Sequence, residues 1–451
     1  MQNRNLRTGQ LLWYGCATIL IGVSFHAFFT AWFASNFGYF DLIRIWKELI
    51  LLGLVIVSIR MAIKVSDLRH YLLRNPLVKA GLAYFAVIVI MTIAGLITNN
   101  VSLPAAAYGF IIDTRFVAFL LVVMTAGYLA PLPAVSRRWI LIPGLIVIIF
   151  GILQLFLLPS DFLRHFGYGK YTLPAFQPVD KKPTLPRLQS FLRGPNTLGA
   201  YMIPVVMGLI ALAYTNKNRR RLAILGAVAG IIVLYGSYSR GAAVGLVVAA
   251  SIFAFWSIDS PAYKRKFFWL SATLLSLSLV ALVLLRNNDL FQNVVFHINE
   301  KSDSSQSSND KRLFAIGSGA ADIVRHPFGS GVGSAGPASL RNAKGEVRLA
   351  ENFYLQVGQE AGIIGVLLLI LLLFYIAKAL YDRKSDVTTR AVLASLVGLL
   401  VVNMVVHAFA DDTLAYVFFA MIGFSLVEYK NTGSKEAIVK TSTKSENLAK
   451  L

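Results

Sequence analysis

Arg240 is the residue whose type and setting most strongly suggest chemistry. It stands in the sequence YGSYSRGAAVG, between two apolar runs, with Gly236 and Gly241 on either side and small residues after it. Small residues let helices pack closely, which leaves the guanidinium facing the helix bundle. Because the planar fork of arginine suits phosphate oxygens, we predict that Arg240 binds an anion. The alternative is an arginine that only extends to the membrane surface.

Glu351 and Asn352 open the sequence ENFYLQVGQEAGIIG, which we expect at the outer end of a membrane span. A carboxylate there can act as a general base toward a hydroxyl group. The glycine-rich sequence RHPFGSGVGSAG, which begins at Arg325 and His326, precedes it and lacks the Lys-Ser/Thr pair of a nucleotide-binding P-loop. The alternatives are an exposed carboxylate at the interface and a flexible loop.

The sequence RLQSFLRGPNTLGAY places Arg187 and Arg193 around an apolar patch just before another apolar run. The GPN tripeptide is a signal for the start of a helix, and it predicts Asn196 as the N-cap residue. We expect the two arginines to contribute to a binding surface. The alternative is a turn with two cationic anchors at the membrane interface.

A charged residue inside an apolar run costs about 2.5–3.5 kcal/mol on insertion scales, and two such pairs stand out, Asp113 with Arg115 and Lys47 with Glu48. Asp113 and Arg115 are two residues apart, so they cannot face each other on one helix, and at least one of them should look into a cavity. Lys47 and Glu48 are best explained as a structural ion pair or as residues near a span end.

Metal-dependent and disulfide-stabilised classes find no support in the sequence. The single cysteine, Cys16, excludes an intrachain disulfide and a cysteine-ligated metal site. The six histidines are scattered without ligand spacing, and no Ser-His-Asp arrangement is evident.

The elements that position these residues are apolar helices. Hydrophobic residues make up 56% of the 451 positions and charged residues 14%, where a soluble domain has about a quarter charged. The pattern predicts an all-α integral membrane protein, because backbone polar groups in lipid must be paired within helices. Twelve spans are predicted, near 10–34, 40–59, 79–98, 106–130, 139–158, 197–215, 222–238, 242–258, 267–285, 362–380, 390–409 and 413–428.

Orientation follows from the Lys and Arg bias of the short loops. With the N-terminus in the cytoplasm, the cytoplasmic segments hold 25 of the 43 Lys and Arg residues, and Arg240 is the one in a short external loop. The formal charge of +21 is thus mostly an orientation signal. Both termini are predicted to be cytoplasmic, and nucleic-acid binding is excluded because the basic residues form no continuous patch.

Two long external loops interrupt the bundle, at about residues 159–196 and 286–361. The second connects the ninth and tenth predicted spans. We expect one transmembrane domain over residues 1–429, with a disordered, basic cytoplasmic tail over 430–451.

Several of these motifs, in this order, resemble the superfamily of O-antigen ligases and O-antigen polymerases. They are SRGA at 239–242, a segment headed by Arg312 that leads to HPFGSGVG, and Asn352 followed at the family spacing by Gly362 and Gly365. The segment RLQSFLRGPNTLGAY also looks like the family's segment before its mid-chain span. The ligases carry histidine where this chain has Glu351.

The resemblance implies a bacterial glycosyltransferase of the GT-C type in the cytoplasmic membrane. Such enzymes transfer a glycan from undecaprenyl diphosphate on the outer face, to lipid A-core in ligases or to another lipid-linked repeat unit in polymerases, without a metal or other cofactor. Arg240 and Arg312 would bind the diphosphate and Glu351 would activate the acceptor hydroxyl. Arg187, Arg193, Asn196, Arg325, His326, Asn352, Asp113 and Arg115 are the candidate substrate-binding residues.

The subtype stays open at this point, although glutamate in place of histidine favours a polymerase of O-antigen, capsule or exopolysaccharide over a ligase. A rival from another class is a transporter or flippase of lipid-linked glycans, for which twelve spans is a common number. Such proteins usually carry inverted repeats and broken helices near the midplane, and this sequence shows neither a repeat nor paired spans interrupted by Gly or Pro.

Overall fold

The computed structural model describes residues 2–179, 182–284, 308–349 and 351–427. The predicted basic tail and the boundary before it lie outside these ranges. The helices are α1 (Gln2–Val23), α2 (His26–Phe37), α3 (Phe40–Ile43), α4 (Trp46–Lys64), α5 (Ser66–Arg74), α6 (Pro76–Ile97), α7 (Leu103–Leu129), α8 (Arg138–Phe156), α9 (Pro195–Thr215), α10 (Arg220–Gly236), α11 (Arg240–Ser257), α12 (Pro261–Leu284), α13 (Ser308–Arg325), α14 (Phe353–Tyr381), α15 (Val387–Val402) and α16 (Asp412–Leu426). A small antiparallel hairpin pairs β1 (Gln177–Val179) with β2 (Lys182–Arg187).

The chain is a multi-pass membrane protein. Its helices confirm the predicted all-α class. Within the described residues, six helices are long and apolar enough to cross a membrane, and eight if each of two bent helix pairs forms one span. Two shorter apolar helices, α15 and α16, accompany them. Each predicted span overlaps at least one helix, but the count of twelve and the sidedness remain predictions.

The first two predicted spans differ from the sequence pattern, and the tenth, predicted from residue 362, begins already at Phe353. The first is bent by 72° between α1 and α2, where the sequence contains no proline. The carbonyl of Val23 at this bend accepts a hydrogen bond from the Thr413 hydroxyl at 3.2 Å, so a group freed by the bend is paired. The second span was predicted from residue 40, but α4 begins only at Trp46 and the short α3 precedes it.

Helix α7 lies at the centre of the bundle. It packs against α1, α4, α6 and α16, and 78% of its most apolar 18-residue stretch is buried. On another side, α9 packs against α10, α11 and α15. A polar residue on α7 therefore meets protein rather than lipid, which explains how Asp113 and Arg115 are tolerated there.

The glycine-rich sequence after α13 is a packed turn, so its interpretation as a flexible loop is wrong. Gly331 and Gly333 have φ of +100° and +94°, a region that favours glycine. A Cβ on Gly331 would lie 2.5 Å from the Cα of Gly95, and one on Gly333 would overlap the Ala105 carbonyl oxygen. The turn is therefore wedged between α6 and α7, and only glycine fits.

A break inside α14 receives this turn. Gly362 has φ +68°, so the helix is interrupted there, and Ile363 donates its amide to the Pro327 carbonyl at 2.9 Å. The freed carbonyls of Gln359 and Glu360 accept the amides of Ser330 and Gly331 at 2.8 and 3.0 Å. The Gly362 position of the Asn-x9-Gly-x-x-Gly pattern thus joins α14 to the glycine-rich turn.

A cavity of about 690 Å³ lies among α5, α6, α7 and α14. Its lining includes Asp67, Arg74, Lys378 and Asp382, which belong to the predicted cytoplasmic connections. The cavity is therefore separate from the residues that the sequence singled out for chemistry.

Candidate functional site

Arg187 joins three segments at one end of the bundle. Its Nε donates to the Ser237 carbonyl at 3.0 Å, and one terminal nitrogen donates to Asn196 Oδ1 at 2.6 Å. The next amide, of Leu188, donates to the Gly236 carbonyl at 2.9 Å. The end of β2 is thereby fixed against the turn before Arg240 and against the start of α9.

Asn196 is not the N-cap of α9, so that prediction was wrong. The helix begins at Pro195 and Gly194 is the capping position, because proline is favoured at the first helical residue. The Asn196 side chain is instead available as an acceptor for Arg187.

Arg240 is the first residue of α11 and is partly buried. It follows a tight turn in which Tyr238 has φ +51°. The adjacent Gly241 lies against Val405, since a Cβ placed on this glycine would come within 2.7 Å of the valine methyl group. The start of α11 therefore borders the connection between α15 and α16, residues 403–411.

Glu351 and Asn352 border the same connection from another direction. Asn352 caps α14, with Oδ1 accepting the Leu355 amide at 3.0 Å, and its Nδ2 donates to the Met404 carbonyl at 2.8 Å. Glu351 has φ +46°, and its carboxylate lies close enough to the His407 imidazole to act on it electrostatically. Arg240 and Glu351 therefore border one segment, which itself carries His407, and we call these three residues the 403–411 site.

Helix α13 carries three further candidates. The side chain of Arg312 lies outside the described residues, although its backbone belongs to α13. Arg325 and His326 are exposed at the other end of the helix, and His326 Nδ1 lies 3.1 Å from Asp322 Oδ1. Asp322 also accepts from Arg348 at 2.8 Å and from Gln359 at 3.0 Å, which holds α13 against α14.

Asp113 lies fully buried beneath the glycine-rich turn, where its Oδ1 accepts a hydrogen bond from Gln356 Nε2 at 3.4 Å and its carboxyl group lies beside that of Glu360. Glu360 Oε1 accepts the Gly333 and Ala335 amides at 2.9 and 3.4 Å. The contacts of Asp113 therefore connect α7 to the glycine-rich turn and to α14, and they hold these two segments in position.

Arg115 points to a different side of α7, as its two-residue separation from Asp113 predicts. It lies 3.7 Å from Glu48 and donates to the Ala410 carbonyl. Lys47 is the centre of this buried network, with its Nζ 3.1 Å from Glu48 and 3.0 Å from Asp412. The predicted Lys47–Glu48 ion pair is confirmed, but it is part of a larger network.

His26 completes this network from the bend after α1. Its Nε2 lies 3.0 Å from Lys47 Nζ and 3.5 Å from Asp412 Oδ2. Trp46 Nε1 donates to His26 Nδ1 at 3.0 Å. Because His26 Nδ1 accepts this hydrogen bond, the imidazole is fixed in orientation against the lysine and the aspartate.

Three arginines surround Tyr108 near the start of α7. Arg44 donates to the Tyr108 hydroxyl at 2.8 Å, Arg341 Cζ lies 4.9 Å from the ring centre, and Arg193 lies close enough to the same hydroxyl to interact with it. We call these four residues the Tyr108 cluster. Arg193 also interacts with Asp411 and Asp412, which connects the cluster to the end of the 403–411 site.

An exposed carboxylate, that of Asp41, lies between two of these arginines. It is 2.5 Å from Arg341 and 3.5 Å from Arg44. The hydrogen bond from Arg341 holds the pKa of Asp41 below its usual range. Arg44 and Arg341 thus share one counter-ion among the described residues.

The sequence missed Glu360, Asp411, Asp412, His26 and Tyr108 as parts of these networks. An acid directly before a predicted span was the available signal for Glu360 and for Asp412. Tyr108 carried no such signal, because tyrosine is ordinary at the ends of membrane helices.

Chemically, this end of the bundle combines cations suited to a diphosphate with a carboxylate suited to accept a proton. Arg187 and Arg240 lie around the 236–241 turn, and Glu351 lies across the 403–411 segment. Among the described residues, no group of three or more His, Cys, Asp or Glu side chains could hold a metal ion.

Comparison with known proteins adds a family likeness. Residues 225–370 match the family model described as O-antigen ligase, a stretch that contains Arg240, Arg312 and Glu351. A protein from Salmonella muenchen named O-antigen polymerase is 25% identical over 186 residues. That match covers 40% of this chain and 44% of the relative, so it spans less than half of either protein. The resemblance drawn from the motifs is confirmed over these stretches.

Proposed function

We propose that this chain, whose residues 225–370 match the O-antigen ligase domain, is a membrane glycosyltransferase with a polyprenyl-diphosphate-linked donor. It transfers the glycan from undecaprenyl diphosphate to a hydroxyl group of an acceptor glycan or glycolipid. The observation that carries this proposal is that the matched stretch brings Arg240 and Glu351 to the same 403–411 segment. The reaction takes place on the external face of the bacterial cytoplasmic membrane, in a bundle of twelve spans.

The leaving group requires positive charge. As the bond between the anomeric carbon and the diphosphate oxygen breaks, negative charge develops on the diphosphate. Arg240 binds this group, and Arg187 holds the 236–241 turn in place through Ser237. Arg312, which the resemblance assigns to the diphosphate, is the second cation of this proposal. Removing one such group lowers turnover by about 10²–10³-fold.

The acceptor hydroxyl requires a base. Glu351 takes its proton as the hydroxyl oxygen bonds to the anomeric carbon, and the electron pair of the broken bond leaves with the diphosphate. His407 of the 403–411 segment lies within electrostatic range of the Glu351 carboxylate.

Within this reaction class, two observations favour a polymerase. The chain carries glutamate where ligases carry histidine, and the relative described above is named O-antigen polymerase. The family description, O-antigen ligase, supports the second candidate, transfer to lipid A-core.

A transfer assay separates these functions. Purified protein in nanodiscs receives an undecaprenyl-diphosphate-linked oligosaccharide, with either a second copy of that lipid or lipid A-core as acceptor. We expect chain elongation and release of undecaprenyl diphosphate with the first acceptor. Product only with lipid A-core identifies a ligase instead. Movement of the lipid across vesicle membranes without any transfer would refute the enzyme proposal in favour of a flippase.

A further inference from the structure

The Tyr108 cluster has the composition of an anion-binding site separate from Arg187 and Arg240. Its arginines come from three distant parts of the chain: Arg44 precedes α4, Arg193 precedes α9, and Arg341 ends the turn Gly336–Arg341. All three converge on one tyrosine. Guanidinium forks arranged around a hydroxyl donor suit the several oxygens of a phosphate or diphosphate group.

The resident carboxylate shows where such oxygens would bind. Asp41 lies between Arg44 and Arg341 with its side chain 68% exposed, so it does not fill a closed structural site. A carboxylate and a phosphate present similar oxygen pairs to a guanidinium. Two arginines with one exposed counter-ion leave a net positive charge that an anion can neutralise.

The surroundings fit an anion attached to a lipid. Phe37, Tyr39 and Leu42 flank Asp41 and are 66%, 78% and 65% exposed. In a bilayer, such side chains contact lipid chains or the interface. A ligand with a diphosphate head and a polyprenyl chain can therefore reach the arginines from the membrane.

We propose that the Tyr108 cluster binds the diphosphate of a second lipid-linked glycan, the acceptor, while the 403–411 site holds the donor. This inference rests on the proposed function and narrows it to a polymerase. A polymerase holds two diphosphate-linked lipids at once, which needs two separate groups of cations. Arg193 interacts with Asp411 and Asp412, so the two sites adjoin each other along the 403–411 segment.

The first test measures binding and needs no turnover. Farnesyl diphosphate is titrated into the protein in nanodiscs, with farnesol as the uncharged comparison. We expect two sites in the natural protein and one in the double variant Arg44→Gln/Arg341→Gln, with affinity at the lost site about ten- to a hundredfold weaker. Arg164→Gln is the matched control, because Arg164 forms a similar exposed pair with Asp161. An unchanged number of sites in the double variant would overturn the proposal.

The variant Asp41→Asn should bind the anion more tightly, which a purely structural role of Asp41 does not predict. Removing the resident carboxylate should tighten binding of inorganic pyrophosphate several-fold, since the anion no longer competes with Asp41 for the arginines. Weaker binding would mean that Asp41 only holds the arginines in place, which contradicts the proposal.

The second test distinguishes whether the diphosphate at the cluster belongs to the acceptor lipid or to the donor lipid. The double variant should raise KM for the acceptor lipid at least about tenfold and leave KM for the donor unchanged. A rise in donor KM instead would assign the cluster to the donor and refute an acceptor site. If the natural protein transfers no glycan at all, the proposed function fails, and the count of binding sites still decides whether the cluster binds a diphosphate.

Discussion

Replacing Lys47 by methionine should destabilise the protein more than the same replacement of an exposed lysine does. Lys47 is 2% exposed, and its Nζ lies within 2.8–3.1 Å of the Arg44 carbonyl, His26, Asp412 and Glu48. Removing one partner of a buried ion pair costs about 3–5 kcal/mol. Asp412 keeps His26 and Glu48 keeps Arg115. Because both acids retain a second partner, we expect a loss near the lower limit, about 3 kcal/mol.

The assay is equilibrium unfolding of the purified protein in mixed detergent micelles. Lys64→Met, an exposed lysine at the other end of α4, is the control and should change the free energy of unfolding by less than about 0.5 kcal/mol. The double variant Lys47→Met/Asp412→Asn removes both charges, so it should be more stable than Lys47→Met alone. A loss below about 1 kcal/mol in the single variant, or no recovery in the double variant, would refute the network.

Three further outcomes are expected. Gly333→Ala should displace the glycine-rich turn, because the new methyl group overlaps Ala105. Limited proteolysis should then cut residues 326–336 faster. The control Gly317→Ala, where the added Cβ meets open space, should leave the rate of cleavage unchanged. Asn352→Ala should cost about 0.5–2 kcal/mol of unfolding free energy through loss of the α14 cap, and equal stability would contradict that role. Arg187→Lys should lower kcat with the fold intact, because lysine cannot bridge Ser237 and Asn196 as a fork does; unchanged kcat would remove Arg187 from the site.

Much of the bundle could be predicted from apolar runs, because a span in lipid must be a helix. The bend between α1 and α2 could not, since no proline marks Ser24 and Phe25 and Gly22 alone does not specify a bend of 72°. Its carbonyl is paired by Thr413, which is 390 residues away, and only tertiary structure reveals such a partner.

The candidate site also has some features that the sequence predicts and others that depend on tertiary structure. Arg240 and Glu351 carried local signals, namely a lone external arginine and an acid at a span end. Glu360 and Asp113 lie on different helices, so their pairing depends on how α7 and α14 pack. The Tyr108 cluster joins residues near 44, 193 and 341, and no local pattern predicts that convergence.

Glu351 provides the most direct test of transfer by base catalysis. The measurement compares single-turnover glycan transfer in the natural protein, Glu351→Gln and Glu351→His, with donor binding measured separately. Histidine is also one of the residues that tolerate the φ of +46° at this position. We predict that glutamine lowers transfer by at least about 10²-fold with donor binding unchanged, and that histidine restores most of the rate. Full activity in Glu351→Gln would contradict the assignment of Glu351 as the base.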